Sequence, residues 1–340
     1  MLPLRFAPHH QLGDTPNVVV DGSPVASTVL TLSHWPGSPT PVEVRDDLSV
    51  QSALHALDHP DWFAGVDVVS NNHFDQDGLA AAFALIDTDG ARRHRDLVID
   101  LAAAGDFATF TSRDGARLAM AIAAFADQSR SPLGPAVFAG SYAEQCSRLY
   151  VELLDRLPGL LADVDSCRAL WADEDADLTG SLAAIADGSV HIEEHPGVDL
   201  AVVTIPERRS AGALAHRFAH VVGRDWTEIV HPMAVNTSTA MLRVLLVHGR
   251  RYRLELRYET WVMLTSRPVM PRPDLRPVAA RLTELEPSGA VWHADPPGAL
   301  TPFLQLTDGA ESGLDPPALV STLVDLLAAA PPAWDPFEGT

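Results

Sequence analysis

The chain has 340 residues, 46% of them hydrophobic, and a formal charge of −21. That length suits two cores better than one, and the acidic balance argues against wrapping duplex nucleic acid, which needs a basic footprint. All 24 basic residues are arginine, which excludes a Schiff-base lysine and the phosphate-gripping lysine of a P-loop.

Residues 1–16, with their prolines and histidines, predict an irregular arm. The arm lacks the charged flank and apolar core of a signal peptide. No run approaches the ~20 apolar residues of a membrane span, so a soluble, cytoplasmic protein is expected. A β-branched run at 17–20 predicts a strand that stops at the Asp21-Gly22 turn. A second strand over 28–33 ends at His34-Trp35-Pro36-Gly37. Asp47-Leu48-Ser49 opens a helix through about Leu57, with Val50, Ala53, Leu54 and Leu57 on one face. Residues 66–70 form an apolar strand, 71–78 a polar loop and 79–86 an Ala-rich helix.

A turn is expected at 87–90 and a short helix over 96–104, stopped by Gly105. Strand signal then disappears over about 113–187, where helices are expected at 115–125, 141–157 and 176–185. Strands return at 188–192 and 199–205, followed by an amphipathic helix over 210–222. Residues 241–247 and 252–258 alternate as a hairpin about His248-Gly249, with 260–264 extending the sheet. Residues 275–285 and 316–330 are the last helices. The fold class is α/β: a parallel-sheet N-terminal domain over 1–208 with a helical block, then a smaller α+β domain over 209–340. Cys146 and Cys167 lack CxxC spacing and read as buried free thiols in a reducing compartment.

The loop His73-Phe74-Asp75-Gln76-Asp77-Gly78 is the strongest chemical signal. It lies between a buried strand and a helix, where open α/β sheets hold ligands. One imidazole and two carboxylates at alternate positions can converge on a divalent cation such as Mn²⁺ or Mg²⁺. A calcium hand is excluded, because the twelfth position would be Ala84 rather than a bidentate glutamate. A helix cap explains Asp75 alone. It does not explain two carboxylates and an imidazole at one strand end, where like charges repel.

A pair of ions ~3.5–4 Å apart needs a bridging ligand and several others. Asp21 and His34 each end a strand, and Asp106 follows Gly105; all three suit that purpose. Their plainer readings are a turn aspartate, a core histidine and a loop aspartate. Asp100 is expected to face solvent. His216 and His220 are spaced i,i+4 but lack the zincin glutamate, since Arg217 follows the first, and they read as surface or interface residues. Arg253, Glu255 and Arg257 share a strand face, expected to be solvated and charge-paired. On the functional reading, Arg257 and Arg267 fork onto a substrate phosphate or carboxylate.

The strand, the H-x-D-x-D-G loop and the helix together resemble the first motif of DHH-family phosphoesterases. That resemblance implies a pair of Mn²⁺ ions and hydrolysis of phosphate esters or anhydrides by metal-activated water. Residues 181–190, leading into 199–203, look like the end of that family's first domain, which would make the C-terminal region a substrate-binding domain across a cleft. The chain has no Asp-His-His triplet and no GGGHxxAAG segment. Leu32-Ser33-His34-Trp35-Pro36-Gly37 taken with Asn71-Asn72-His73-Phe74-Asp75-Gln76-Asp77-Gly78 also looks like a bacterial family of unknown function.

The expected protein is therefore a Mn²⁺- or Mg²⁺-dependent hydrolase, a phosphoesterase or pyrophosphatase. Its substrate would be a small phosphorylated molecule or a short oligonucleotide. Asp21, His73, Asp75, Asp77 and Asp106 would hold the metal, with Asp75 also counted as catalytic. His34 would be a further ligand or a general acid, and Asn72, Arg257 and Arg267 would orient substrate. The alternative is a non-catalytic binding or regulatory protein that keeps the fold and one metal-binding motif. Monomer and homodimer both stay open.

Overall fold

Short β-branched runs build the first sheet. In the computed structural model, which describes residues 4–207, 217–218 and 224–337, these are Arg5–Phe6 (β1), Asn17–Val20 (β2), Thr28–Leu32 (β3) and Val68–Ser70 (β4). They are ordered β1-β4-β2-β3 and every pair is parallel. Val18, Val19, Val20, Val68 and Val69 are fully buried, as expected of a parallel sheet covered on both faces. The arm is thus not wholly irregular: Arg5 and Phe6 join the sheet edge beside β4.

Helices Ser49–Ala56 (α1), Gln76–Ile86 (α2), Thr88–Arg93 (α3), Arg95–Asp106 (α4), Arg113–Ala126 (α5) and Tyr142–Ala162 (α6) follow. The Ala-rich α2 is the central one and packs on α1, α4 and the sheet. Ala80, Ala81, Ala82 and Ala84 are fully buried, and their small side chains let those neighbours come close. Two local expectations change. The turn at 87–90 is the start of α3, capped by Asp87, which accepts from Gly90 N at 2.9 Å. Gly105 does not stop α4 but lies inside it, where a Cβ would come within 2.4 Å of Gln76 Cβ. Asp106 is therefore the last residue of a helix rather than part of a loop.

The chain divides into two compact units within helix Ala172–Ala186 (α7). The first runs to Asp175 and includes the returning segment Met263–Arg267; the second takes Ala176–Val262 and residues 268–337. The division falls well before residue 208 for a physical reason. His191–His195 (β5) and Leu200–Ile205 (β6) give their hydrogen bonds to the second unit's sheet, β6 lying parallel to Arg243–His248 (β7) from Leu200 to Ile205.

In the second unit, Arg224–Thr227 (α8) and Pro232–Thr237 (α9) precede β7 and Arg251–Leu256 (β8). Arg272–Pro273 (β9), Leu275–Leu285 (α10), Trp292–Ala294 (β10), Phe303–Leu306 (β11), Pro316–Ala329 (α11) and Pro332–Trp334 (β12) complete it. The sheet order is β10-β11-β8-β7-β6-β5, with β9 and β12 paired separately. Leu200, Leu245, Leu254 and Leu256 pack with Leu282 of α10 and Leu323 of α11. Residues 260–264 do not extend the sheet; β10 and β11 do so instead. The face carrying Arg253, Glu255 and Arg257 is buried, not solvated. The helix expected over 210–222, with His216 and His220, lies outside the described residues apart from Arg217 and Phe218. Both cysteines are free and buried. No helix among the described residues is long and apolar enough to cross a membrane.

Candidate metal centre

Parallel strands point their C-terminal ends to one edge of the sheet, and the chemistry collects there. Asp21 leaves β2 in the left-handed region at φ 44°, a conformation aspartate tolerates better than most residues. Gly22 follows it because a Cβ there would sit 2.1 Å from Asn72 Oδ1. His34 leaves β3, and Asn71 to His73 leave β4. Asn71 fastens the two ends together: its Nδ2 donates to Asp21 O at 3.1 Å and its Oδ1 accepts from His73 N at 2.9 Å.

The start of α2 supplies two carboxylates. Asp75 is its N-cap, with Oδ1 accepting from Gly78 N at 2.9 Å. Its Oδ2 lies 3.0 Å from His73 Nε2. Asp77, in the first turn of α2, accepts from Ser49 N at 2.7 Å and Val50 N at 2.9 Å, so the N-terminus of α1 steadies its charge. Asp106 comes from the end of α4, with Oδ2 3.6 Å from His34 Nε2.

Asp21 sits at the centre of the cluster. Its Oδ1 is 3.4 Å from His34 Nε2 and its Oδ2 is 3.3 Å from His73 Nε2. Two overlapping ligand groups result, Asp21–His34–Asp77 and Asp21–His73–Asp75, in each of which the candidate donor atoms lie within 4.8 Å of one another. Among the described residues, the ion pairs given to Asp21 and Asp77 run to histidines.

His34 provides the test of fit to a metal. Its Nδ1 is 2.6 Å from Asp47 O, and a carbonyl only accepts, so Nδ1 carries the proton. In the neutral ring Nε2 is then a lone pair directed at Asp21, Asp77 and Asp106. A lone pair facing carboxylates is repulsive, and a cation between them makes it attractive. A ligand histidine held through its other nitrogen by a carbonyl is the usual outer-shell arrangement at metals. Asp47 is itself fixed, its Oδ1 accepting from Thr265 N at 2.6 Å and Ser266 N at 2.9 Å of the returning segment. Mixed carboxylate and imidazole donors suit Mn²⁺ well, and Asp21 offers one oxygen to each group, as a bridging carboxylate does.

Charge crowding shows in the titration behaviour. Burial and the neighbouring Asp21 push Asp77 well above the usual carboxylate range, against the pull of the Val50 and Ser49 N–H groups. Burial works against a charged His73, but Asp75 and Asp21 outweigh it and raise the imidazole well above its ordinary value. Trp35 lies against the His73 ring at 5.0 Å between centroids.

The remaining expected residues fall in different places. Asn72 is half-buried beside Asp21, its Oδ1 accepting from Ser23 N at 3.1 Å. Arg267 lies in the returning segment of the first unit. Arg257 belongs to the second unit, where Nη1 donates to the carbonyls of Asn236, Thr239 and Met241 and Nη2 pairs with Glu259. A guanidinium so occupied is a structural tie, which removes the motive for giving it to substrate. Asp100 is buried rather than solvent-facing, accepting from the backbone and hydroxyl groups of Thr111 and Ser112. Sequence reasoning passed over Ser49, whose hydroxyl donates to Asp21 Oδ1 at 2.9 Å. It also passed over Asp47, Asn71 and Tyr150. The Asp47-Leu48-Ser49 helix start was a usable signal for Asp47 and Ser49; Tyr150 gave none.

Fold and cluster together define an α/β protein with a carboxylate–imidazole centre on the C-terminal edge of a parallel sheet. The chain belongs to a family of unknown function, DUF6687, whose profile matches residues 2–338. No curated protein and no solved structure gives a match, and the family membership carries no activity with it.

Proposed function

We propose that the protein is a divalent-metal-dependent hydrolase, a phosphoesterase or pyrophosphatase acting on a small phosphorylated substrate. The observation that carries this reading is geometric: Asp21, His34 and Asp77, and Asp21, His73 and Asp75, form two overlapping groups of candidate ligands that share Asp21, with His34 held through Nδ1 by Asp47 O. Bound Mn²⁺ or Mg²⁺ would supply Lewis acidity and an activated water. Asp21 would serve both ion positions, with His34, Asp77 and Asp106 on one side and His73 and Asp75 on the other. His34 is then a ligand rather than a general acid. Asn72, at the rim beside Asp21, would orient the substrate.

A second reading, a non-catalytic protein that retains the fold and the metal-binding motif, draws on a specific observation. Asp75 and both oxygens of Asp77 already accept backbone N–H groups at helix starts, which is a structural duty. Metal analysis of the purified protein, followed by a Mn²⁺-dependent screen with pyrophosphate and a phosphodiester, separates the readings. Two metals per chain, lost with hydrolysis in Asp75→Ala, support the enzyme. Metal without turnover supports the binding protein. A metal-free chain whose Asp75→Ala variant is merely less stable removes both.

A further inference from the structure

A serine at a helix start ordinarily caps its own helix. Ser49 does not: it is the first residue of α1, behind Leu48 at the N-cap, and that end of the helix has no side-chain cap. Its hydroxyl is fully buried and crosses to the sheet edge, where it donates to Asp21 Oδ1 at 2.9 Å. The same oxygen accepts from His34 N at 3.3 Å, and the Ser49 N–H donates to Asp77 Oδ2 at 2.7 Å. These contacts share a target. Asp21 Oδ1 and Asp77 Oδ2 are two of the carboxylate oxygens that face His34 Nε2, at 3.4 and 3.8 Å. One residue thus holds both carboxylates of the Asp21–His34–Asp77 group and the backbone of its imidazole.

The Asp21–His73–Asp75 group is held more loosely. His34 donates from Nδ1 to Asp47 O at 2.6 Å, whereas His73 Nδ1 has no hydrogen-bond partner among the described residues. The His73 side chain is 20% exposed and that of His34 0%. Asp75 commits Oδ1 to the cap of α2 and has Oδ2 alone turned to His73. Ligands already fixed in place lose less freedom when an ion arrives, so an ion is bound more tightly there.

We propose that Ser49 is a positioning residue of the metal centre and makes the His34 position the first to fill. The inference rests on the metal reading above. It adds to that reading a residue outside the H-x-D-x-D-G motif and an order of loading.

The test is Mn²⁺ titration calorimetry on metal-stripped wild type, Ser49→Ala and His73→Gln. Wild type is expected to bind in two steps of unequal affinity. Ser49→Ala should weaken the first step by about 10- to 100-fold, the range for loss of an outer-shell partner, and leave the second in place. His73→Gln should keep the first step at wild-type affinity and lose the second. A single ion in wild type is read as the first step. A serine that merely satisfies the buried Asp21 would lower the metal-free melting temperature of Ser49→Ala without moving the first step. That result overturns the inference and leaves the metal reading intact. So do two equal steps in wild type, two steps weakened alike in Ser49→Ala, or a first step lost in His73→Gln. Wild-type protein that takes up no Mn²⁺ removes both.

Discussion

Both units bury charge, and the sheet-edge cluster of the first answers it differently from the buried pairs of the second. In the second unit, buried charges meet partners from the same chain. Arg257 pairs with Glu259, and Arg253 lies 3.8 Å from Glu255 while donating to Gln305 at 2.8 Å. Arg272, brought down to about 9 by burial, donates to Thr260 Oγ1 and to the carbonyls of Pro297 and Leu300. The first unit instead brings Asp21, Asp75, Asp77 and Asp106 to one sheet edge around two imidazoles. Buried charge with internal partners is a device for holding a fold, whereas converging like charge is expensive for the fold alone. The second arrangement persists where something outside the chain repays it, and the divalent cation proposed above would do so directly.

Deleting a charge should therefore have opposite effects at the second unit's Arg257–Glu259 pair and at the first unit's sheet-edge cluster. Arg257→Ala is the largest case. It strands Glu259 in the interior and is expected to cost about 3–5 kcal/mol in urea unfolding, with Mn²⁺ uptake by the folded protein unchanged. Asp21→Asn, which keeps a side chain that tolerates the left-handed backbone, should act in the opposite sense on the metal-free protein. Removing one of the crowded carboxylates is expected to raise its melting temperature, by an amount on the order of 1 kcal/mol. Because the same residue serves both ligand groups, Mn²⁺ affinity should fall by more than the ~100-fold typical of an outer-shell loss. An Asp21→Asn protein that melts lower without metal would break the contrast.

Much of this layout was legible in the residues. β2, β3 and β4 announce themselves as β-branched runs closed by Asp-Gly, His-Trp-Pro and Asn-Asn, and a parallel order then places Asp21, His34 and His73 on one edge. Asp75 and Asp77 follow from the loop spacing and Asp106 from its place after Gly105, although the helix continues through that glycine. What stayed hidden depends on tertiary context. β1 has two residues and β10 three, too few for a period-2 pattern to emerge. Arg257 and Asp100 show that a polar residue type cannot say whether it faces a ligand, solvent or a row of backbone groups. Tyr150 occupies an ordinary apolar position of a helix, and only the packed structure places its hydroxyl beside Gly78.

Glu286 sharpens the second unit's half of the contrast. Burial works against its charge, yet donors from Ser312, Gly313 and Ser288 hold the carboxyl at about 2. A depressed carboxyl contributes stability above its unfolded value of ~4.3 and loses it as pH falls through the folded value. Urea stability of this unit should thus decline between about pH 4 and pH 2. Glu286→Gln should flatten that decline while costing about 1–3 kcal/mol at neutral pH. An unchanged acid slope in the variant would show that the three donors do not stabilise the charge.

The smallest effect belongs to the first unit and carries the opposite sign. His73 and Asp77 are both raised above their ordinary values when no cation is bound. A raised group contributes stability that is fully present below its unfolded value, ~6.5 for histidine and ~3.9 for aspartate, and lost as pH rises through the folded one. Metal-free protein should therefore melt lower at pH 8.5 than at pH 6, by an amount on the order of 1 kcal/mol. Saturating Mn²⁺ should invert the trend, because the ligands must release protons to bind and the metal's contribution grows with pH. Paired melting curves in chelator and in Mn²⁺ at the two pH values measure this. A metal-free melting temperature that is flat or rises over this interval would mean that the carboxylates do not repel as their spacing requires, and the case for a cation at this edge would then rest on the grouping of the ligand atoms alone.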